Sequence, residues 1–160
     1  MNYLPPEDYL FFLITRASLS ITSIFKKISA VSDLTEIKPS YLGVLICLWL
    51  NDSMDEMLGK LGTEGGMKLT ELGRCAGVEP STITGLVDRM ELDGLVYRSS
   101  VPGDRRAQKA NLTEKGLSVR SKVLKALDGM TNQVFAGISP EEIEITKKVL
   151  GKVLENARNT

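Results

Sequence analysis

Residues 69–116 read LTELGRCAGVEPSTITGLVDRMELDGLVYRSSVPGDRRAQKANLTEKG, and the order of signals along this stretch decides the fold. Leu69 to Gly77 has the pattern of a short helix that stops on a conformationally free glycine. Pro80 opens a second helix, which the Gly94 stop signal ends. In that helix Ile83, Leu86, Val87 and Met90 fall at i, i+3, i+4 and i+7, a stripe that must face a core. Ser81, Thr82, Thr84, Gly85, Asp88 and Arg89 are left on the outer face. Val96 to Ser100 reads as a strand, Pro102-Gly103-Asp104 as a turn, and Ala107 to Leu112 as the return strand.

Short helix, glycine turn, helix with a small polar face, hairpin with a basic turn: this order is that of a winged helix-turn-helix. The flanks are helical. Between residues 7 and 31, Leu10, Leu13, Ile14, Ala17, Ile21, Ile24, Phe25 and Ile28 recur at helical spacing. Near Tyr9 to Ile14 that helix is apolar on more than one face, so it needs cover on two sides, and in a short chain the second cover is a partner subunit. Pro39 opens another helix, running through Trp49 and Leu50 toward Leu58. Gly59, Gly62, Gly65 and Gly66 mark a long loop over 52–66. Thr113 caps one long helix through Val134, and Ser139-Pro140-Glu141-Glu142 opens the last with a capping box. The prediction is a mainly α chain of six helices, with a short strand between the second and third and a small hairpin wing after the fourth, pairing as an intertwined helical dimer. Residues 1–38 and 117–160 form helical arms, and 39–116 form the lobe.

Composition bounds the function. Of 160 residues 42% are apolar, enough for a core, and 25% are charged. The 20 basic and 20 acidic residues cancel, which counts against a generic basic footprint for nucleic acid. The distribution is uneven: from 94 to 109, Arg98, Arg105, Arg106 and Lys109 face Asp104 alone, whereas Asp52, Asp55, Glu56 and Glu64 gather around Lys60. The chain has no histidine and only Cys47 and Cys75, with no CxxC spacing, so no zinc or other metal site is expected. Both cysteines read as small apolar residues of the core. The longest apolar run, Tyr41 to Leu50, is too short for a bilayer, and no leader pattern is present; a cytoplasmic protein is expected.

The outer face of the Pro80 helix suits a DNA major groove. Its side chains are small, its hydroxyls can donate or accept at base edges and phosphates, and Arg89 can grip a phosphate or a guanine edge. The helix N-terminus adds a field that favours phosphate. Arginine on the projecting 103-GDRRAQK-109 turn suits the narrow minor groove.

The residues 71-ELGRCAGVEPSTITGLVDRMELDGLVYR-98, 103-GDRR-106 and 112-LTEKG-116 together resemble the multiple-antibiotic-resistance regulator (MarR) family of bacterial transcription factors. The resemblance covers about a third of the chain directly, with a similar helical order on either side. It implies an obligate, intertwined homodimer that binds a pseudo-palindromic operator in double-stranded DNA. Carried over residue by residue, Ser81, Thr82, Thr84 and Arg89 are recognition-helix contacts. Asp104 and Arg106 match the Asp-x-Arg wing, with Arg106 in the minor groove and Asp104 orienting it. Arg105 is a phosphate contact, and Lys109 a further candidate. The resemblance also implies a repressor whose affinity falls when a small phenolic or lipophilic effector binds between arms and lobe. Arg16, Ser20, Tyr41 and Trp49 are the candidates for such a crevice. The family's peroxide-sensing branch carries its reactive cysteine near the start of the first helix, where this chain has none.

Three departures stand out. Glu79 occupies the N-cap of the Pro80 helix, where Glu is a weak cap. Gly73 replaces a usual alanine at a modest cost to its helix. The 52–66 loop is long. An enzyme is not expected, since there is no histidine, nucleophile elbow or phosphate-binding glycine loop, and no cofactor is implied. The rival reading is a winged-helix module that binds protein, which would have no use for Asp104-Arg105-Arg106 on a projecting turn.

Overall fold

The computed structural model describes Pro5 and residues 8–57, 65–101 and 103–158. Helix α1 spans Leu10–Val31, and a 3-10 turn over Pro39–Tyr41 leads into α2, Leu42–Met57. Strand β1, Met67–Lys68, is followed by α3, Leu69–Ala76, and α4, Pro80–Leu92. Strands β2, Val96–Val101, and β3, Asp104–Leu112, form the hairpin, and α5, Glu114–Ser118, α6, Arg120–Val134, and α7, Pro140–Arg158, close the chain. The sheet is antiparallel in the order β1-β3-β2, with Val96 opposite Leu112 and a register shift between Ser100 and Val101. This is a winged helix-turn-helix carried on helical arms, as the sequence predicts.

Two differences are local. The single helix predicted from Thr113 is two, α5 and α6, meeting at Val119. The return strand begins at Asp104, where the sequence placed a turn, and pairs with Val101. Residues 58–64 of the predicted long loop lie outside the described residues.

The local signals act as read. Gly77 takes a left-handed conformation (φ 66°) and ends α3. The Val78 N–H returns to the Gly73 carbonyl at 2.8 Å. A Cβ on Gly73 would sit 3.0 Å from the Val78 carbonyl oxygen, so the glycine there serves the tight turn and is more than a lost alanine. At the start of α7, the Ser139 N–H donates to Glu142 at 2.8 Å and the Glu142 N–H to Ser139 Oγ at 3.2 Å, the predicted capping box. These bonds hold the Glu142 carboxyl below its ordinary range.

The core lies beneath the lobe. Ile83, Leu86, Val87 and Met90 of α4 are buried, together with Tyr41, Val44, Leu48, Trp49, Leu72 and Leu95. One junction joins four elements. The Thr113 N–H donates to the Leu95 carbonyl at 3.1 Å. Thr113 Oγ1 donates to the Gly94 carbonyl at 2.7 Å and accepts from the Gly116 N–H at 3.0 Å. Trp49 Nε1 of α2 donates to the Gly116 carbonyl at 3.0 Å. A Cβ on Gly116 would overlap the Leu95 carbonyl oxygen, so the junction closes only on glycine.

A second tie fixes the end of α4. The Tyr41 hydroxyl donates to Asp93 Oδ2 at 2.7 Å, and Lys38 Nζ lies 3.0 Å from the same oxygen. Lys115 Nζ donates to the Asp93 carbonyl at 2.9 Å, a cation on the last carbonyls of a helix. The Tyr41 hydroxyl, then Lys38, hold the Asp93 carboxyl below its ordinary value of 3.8.

The arms differ from the lobe. Their apolar side chains stand in the open, with Phe11 at 80%, Leu19 at 66% and Leu154 at 60% exposure. A groove of about 610 Å³ runs between α1 and α7, lined by Leu10, Leu13, Ile14, Val149, Leu150 and Val153 among others. An apolar surface of this kind marks an interaction face.

Gly116→Ala should destabilise the chain by about 2–3 kcal/mol, since backbone must move to admit the methyl group, and urea unfolding at neutral pH will measure it. A carboxyl held low stabilises the fold above its unfolded value and loses that contribution as pH falls through the lowered one. The stability gap between the wild type and Asp93→Asn should therefore be full at neutral pH and shrink as pH drops below the ordinary 3.8. A gap independent of pH in urea unfolding contradicts the tie.

Candidate nucleic-acid interface

Helix α4 opens on Glu79, whose side chain makes no capping bond, followed by Pro80. The first exposed donors and acceptors are therefore the backbone end of the helix and the hydroxyls of Ser81, Thr82 and Thr84, all exposed. Arg89 is exposed on the same face, and its Nη1 lies 3.9 Å from where a Gly85 Cβ would stand. A methyl group at 85 would meet the guanidinium at ordinary van der Waals contact. The structure brings Ser81, Thr82, Thr84 and Arg89 onto one surface.

The same helix carries acids, Asp88 and Glu91, and β2 answers them. Arg98 Nη1 lies 2.5 Å from Asp88 Oδ1 and 3.0 Å from Glu91 Oε2. Its Nη2 donates to the Thr84 carbonyl at 3.0 Å, and its backbone N–H donates to Glu91 Oε1 at 2.9 Å. At 17% side-chain exposure Arg98 is mostly withdrawn from solvent. The sequence counts it with the basic segment; the structure shows it spent inside the lobe, stitching the helix to the hairpin. The signal was available in the alternation: Arg98 faces the same side of β2 as buried Val96.

The hairpin turns at Gly103 (φ 81°). Asp104 is exposed, and its Oδ1 accepts the Ala107 N–H at 3.3 Å. Arg105 and Arg106 form β3 through their backbone; their side chains lie outside the described residues. Lys109 is half-buried in mid-strand, opposite Ser99 of β2 and Lys68 of β1, and stands apart from the turn.

The four effector candidates do not form one site. Arg16 and Ser20 are exposed on α1, the Arg16 guanidinium lying 5.7 Å from the Phe12 ring centre. Tyr41 and Trp49 are buried, with their polar atoms bonded to Asp93 and Gly116. None of the four lines the α1–α7 groove or a second cavity of about 560 Å³ beside α3, the start of α4 and the end of α7. The cysteines also depart from expectation. Cys47 is buried, but Cys75 is exposed, and the two are joined by a disulfide. Cysteines 28 residues apart carry no local spacing signal, which is why the pairing was not legible. Among the described residues no cluster of acidic or cysteine side chains is arranged to hold a metal ion, and no helix is long and apolar enough to cross a membrane.

The MarR family model matches residues 56–107, the stretch that holds α3, α4 and most of the hairpin. Solved structures extend the likeness to the whole chain. The PcaV transcriptional regulator from Streptomyces coelicolor, in complex with its natural ligand, is 20% identical with a TM-score of 0.81, covering 98% of this chain and 99% of its own. A MarR family transcriptional regulator from the same organism, in complex with DNA, is 22% identical with a TM-score of 0.75, covering 97% and 94%. BpsR of Bordetella bronchiseptica, whose DNA binding is regulated by 6-hydroxynicotinic acid, is 19% identical with a TM-score of 0.76, covering 95% and 97%. The resemblance read from the sequence is met by the family model over residues 56–107 and by the fold over nearly the whole chain.

Arg98→Ala should lower stability by about 1–2 kcal/mol, because it leaves two neighbouring carboxylates facing each other at a partly wet site. Adding Glu91→Gln to that variant should restore part of the loss in urea unfolding. An additive double-mutant result would show that Arg98 and Glu91 act independently.

Proposed function

We propose that this MarR-family chain is a transcriptional repressor that reads a pseudo-palindromic operator as a homodimer. The observation that carries the reading is the surface formed by Ser81, Thr82, Thr84 and Arg89, presented by a helix whose acids Asp88 and Glu91 share the one guanidinium of Arg98, which offsets part of their charge. In this reading the α4 face enters the major groove, where hydroxyls and the Arg89 guanidinium meet base edges and phosphates. The hairpin lies along the neighbouring backbone. Arg106 reaches into the minor groove, Arg105 meets a phosphate, and Asp104 steadies the turn through its bond to the Ala107 N–H. Lys109, set back in the strand, adds positive field more than a direct contact.

The apolar surfaces of α1 and α7 support the dimer, with 1–38 and 117–160 as the pairing arms and 39–116 as the reading lobe. Two lobes on a two-fold axis match half-sites about 34 Å apart. Such a regulator works in the cytoplasm. Its effector would be a small phenolic or lipophilic molecule bound between arms and lobe, in keeping with the 6-hydroxynicotinic acid of BpsR and the p-coumaroyl-CoA bound to CouR of Rhodococcus jostii. Arg16 and Ser20 are the accessible candidates to meet it, while Tyr41 and Trp49 serve the core. A ligand acts here only by favouring one lobe spacing over another.

In vitro selection of bound duplexes should enrich an inverted repeat, and light scattering should give twice the 17.5 kDa chain mass. On the selected duplex, Arg106→Ala should weaken binding about tenfold to a hundredfold and lower the salt slope by about one, with the fold retained. Selection that enriches no sequence would turn the assignment toward a protein-binding module, and undiminished binding by Arg106→Ala would remove the wing from it.

A further inference from the structure

We propose that Cys47 and Cys75 form a reversible thiol–disulfide site, entered from solvent at Cys75, that fastens the first helix of the helix-turn-helix to α2. The two are the chain's only cysteines, and they are bonded to each other. Their Cα atoms are 6.2 Å apart, and the bond joins α2 to α3 across 28 residues of sequence.

Its two ends are unequal. Cys47 is 6% exposed, whereas Cys75 lies on the exposed side of α3. Exchange requires a thiolate to reach one sulfur in line with the bond, so the accessible sulfur is the one attacked. The neighbouring contact shows what the bond controls. One turn earlier on α2, a Cβ on Gly43 would lie 3.3 Å from the Ala76 carbonyl oxygen and 3.4 Å from its Cβ, so the two helices already approach at backbone distance. Small residues at such a crossing bury little apolar area, and the disulfide supplies the covalent tie beside them. Helix α3 passes its position on to α4 through the Val78-to-Gly73 bond at 2.8 Å. What holds α3 therefore also holds the start of the reading helix.

The chemistry balances with a low-molecular-weight thiol and its disulfide as co-reactants. A thiolate attacks Cys75 Sγ, the protein S–S bond breaks, and its electron pair leaves with the Cys47 sulfur, which takes a proton. A second thiolate attacks the small-molecule sulfur of the mixed disulfide and releases the Cys75 thiolate. Two thiols become one small disulfide while the protein disulfide becomes two thiols. Reoxidation is the reverse, with the small disulfide as oxidant and Cys47 as resolving thiol. The regulatory sense rests on the proposed function: a protein that reads DNA works where thiols are plentiful, and a disulfide there cycles.

The test uses the full chain equilibrated in glutathione and glutathione disulfide mixtures, quenched by alkylation and weighed intact. The bond should form and open with the ratio. Cys47→Ser should take up one glutathione per chain, and natively folded Cys75→Ser none. Amides of α3 should exchange with solvent more slowly in the oxidised chain. On the selected inverted repeat the oxidised chain should bind about fivefold more tightly, and the double serine variant should bind as the reduced chain does in every mixture. Persistently free thiols in excess glutathione disulfide, or glutathione taken up at Cys47 in place of Cys75, would overturn the site. Equal α3 exchange and equal affinity in the two states would overturn the fastening. A chain that binds no DNA in either state yet shows the mass and exchange pattern would support this site and overturn the DNA reading alone.

Discussion

The lobe closes around one place where a side chain cannot fit. Gly116 presses its backbone against the Leu95 carbonyl, and four elements meet there: α2 through Trp49, the end of α4 through Gly94, the start of β2 through Leu95, and α5 through Thr113. Each buried polar group at the junction finds a partner in another, so the core gains contact without an orphaned donor. Moving any one element would leave the others with unpaired groups in a buried place, which costs more than any single bond contributes. The angle between α4 and the hairpin is set here, before any residue of the exposed α4 face is considered.

Charge placement then explains how a chain of zero net charge can present a face suited to a polyanion. Asp88 and Glu91 ride on the reading helix, where they would repel phosphate. Arg98 offsets part of that repulsion, its one charge shared between the two carboxylates at 2.5 and 3.0 Å, and binds the helix to the hairpin in the same act. Lys115 and Lys38 do the same work around Asp93 at the far end of the helix. Formal charge counts these groups as if all faced solvent. The surface depends instead on which of them are already paired: on α4 the hydroxyls and Arg89 face outward beside Asp88, which stays exposed but shares the Arg98 guanidinium with Glu91.

Much of this was legible because local chemistry and tertiary demand agree. The i, i+3, i+4, i+7 stripe from Ile83 to Met90, the left-handed Gly77, the Thr113 cap and the Ser139–Glu142 box are each decided by neighbours in sequence, and each is found. What was not legible depends on residues far apart. For Arg98 the strand alternation shows the inward side but not the partners, which lie seven and ten residues earlier on another element. Tyr41 and Trp49 looked available as pocket residues, yet their polar atoms meet Asp93 and Gly116, more than fifty residues away. The disulfide is the same case: nothing near Cys47 announces Cys75.

The distribution of these ties decides what kind of regulation the fold permits. The junction at Gly116, the Asp93 cluster and the Arg98 stitch all lie within the lobe, so the reading helix and the hairpin must move together. Among the described residues the start of α1 and the length of α7 carry open apolar faces, while the end of α1 is held in the core by Phe25. In the proposed dimer, an effector would change operator affinity by tilting whole lobes about the arms, with the recognition surface itself unaltered. Val119, where α5 gives way to α6, lies just past the proposed boundary of lobe and arm, and in that proposal a small change of angle there would be multiplied over the distance to α4. In that proposal a rigid lobe on a movable mount would be released from DNA at a few kcal/mol, the scale on which small ligands shift such equilibria, with the α4 face unaltered.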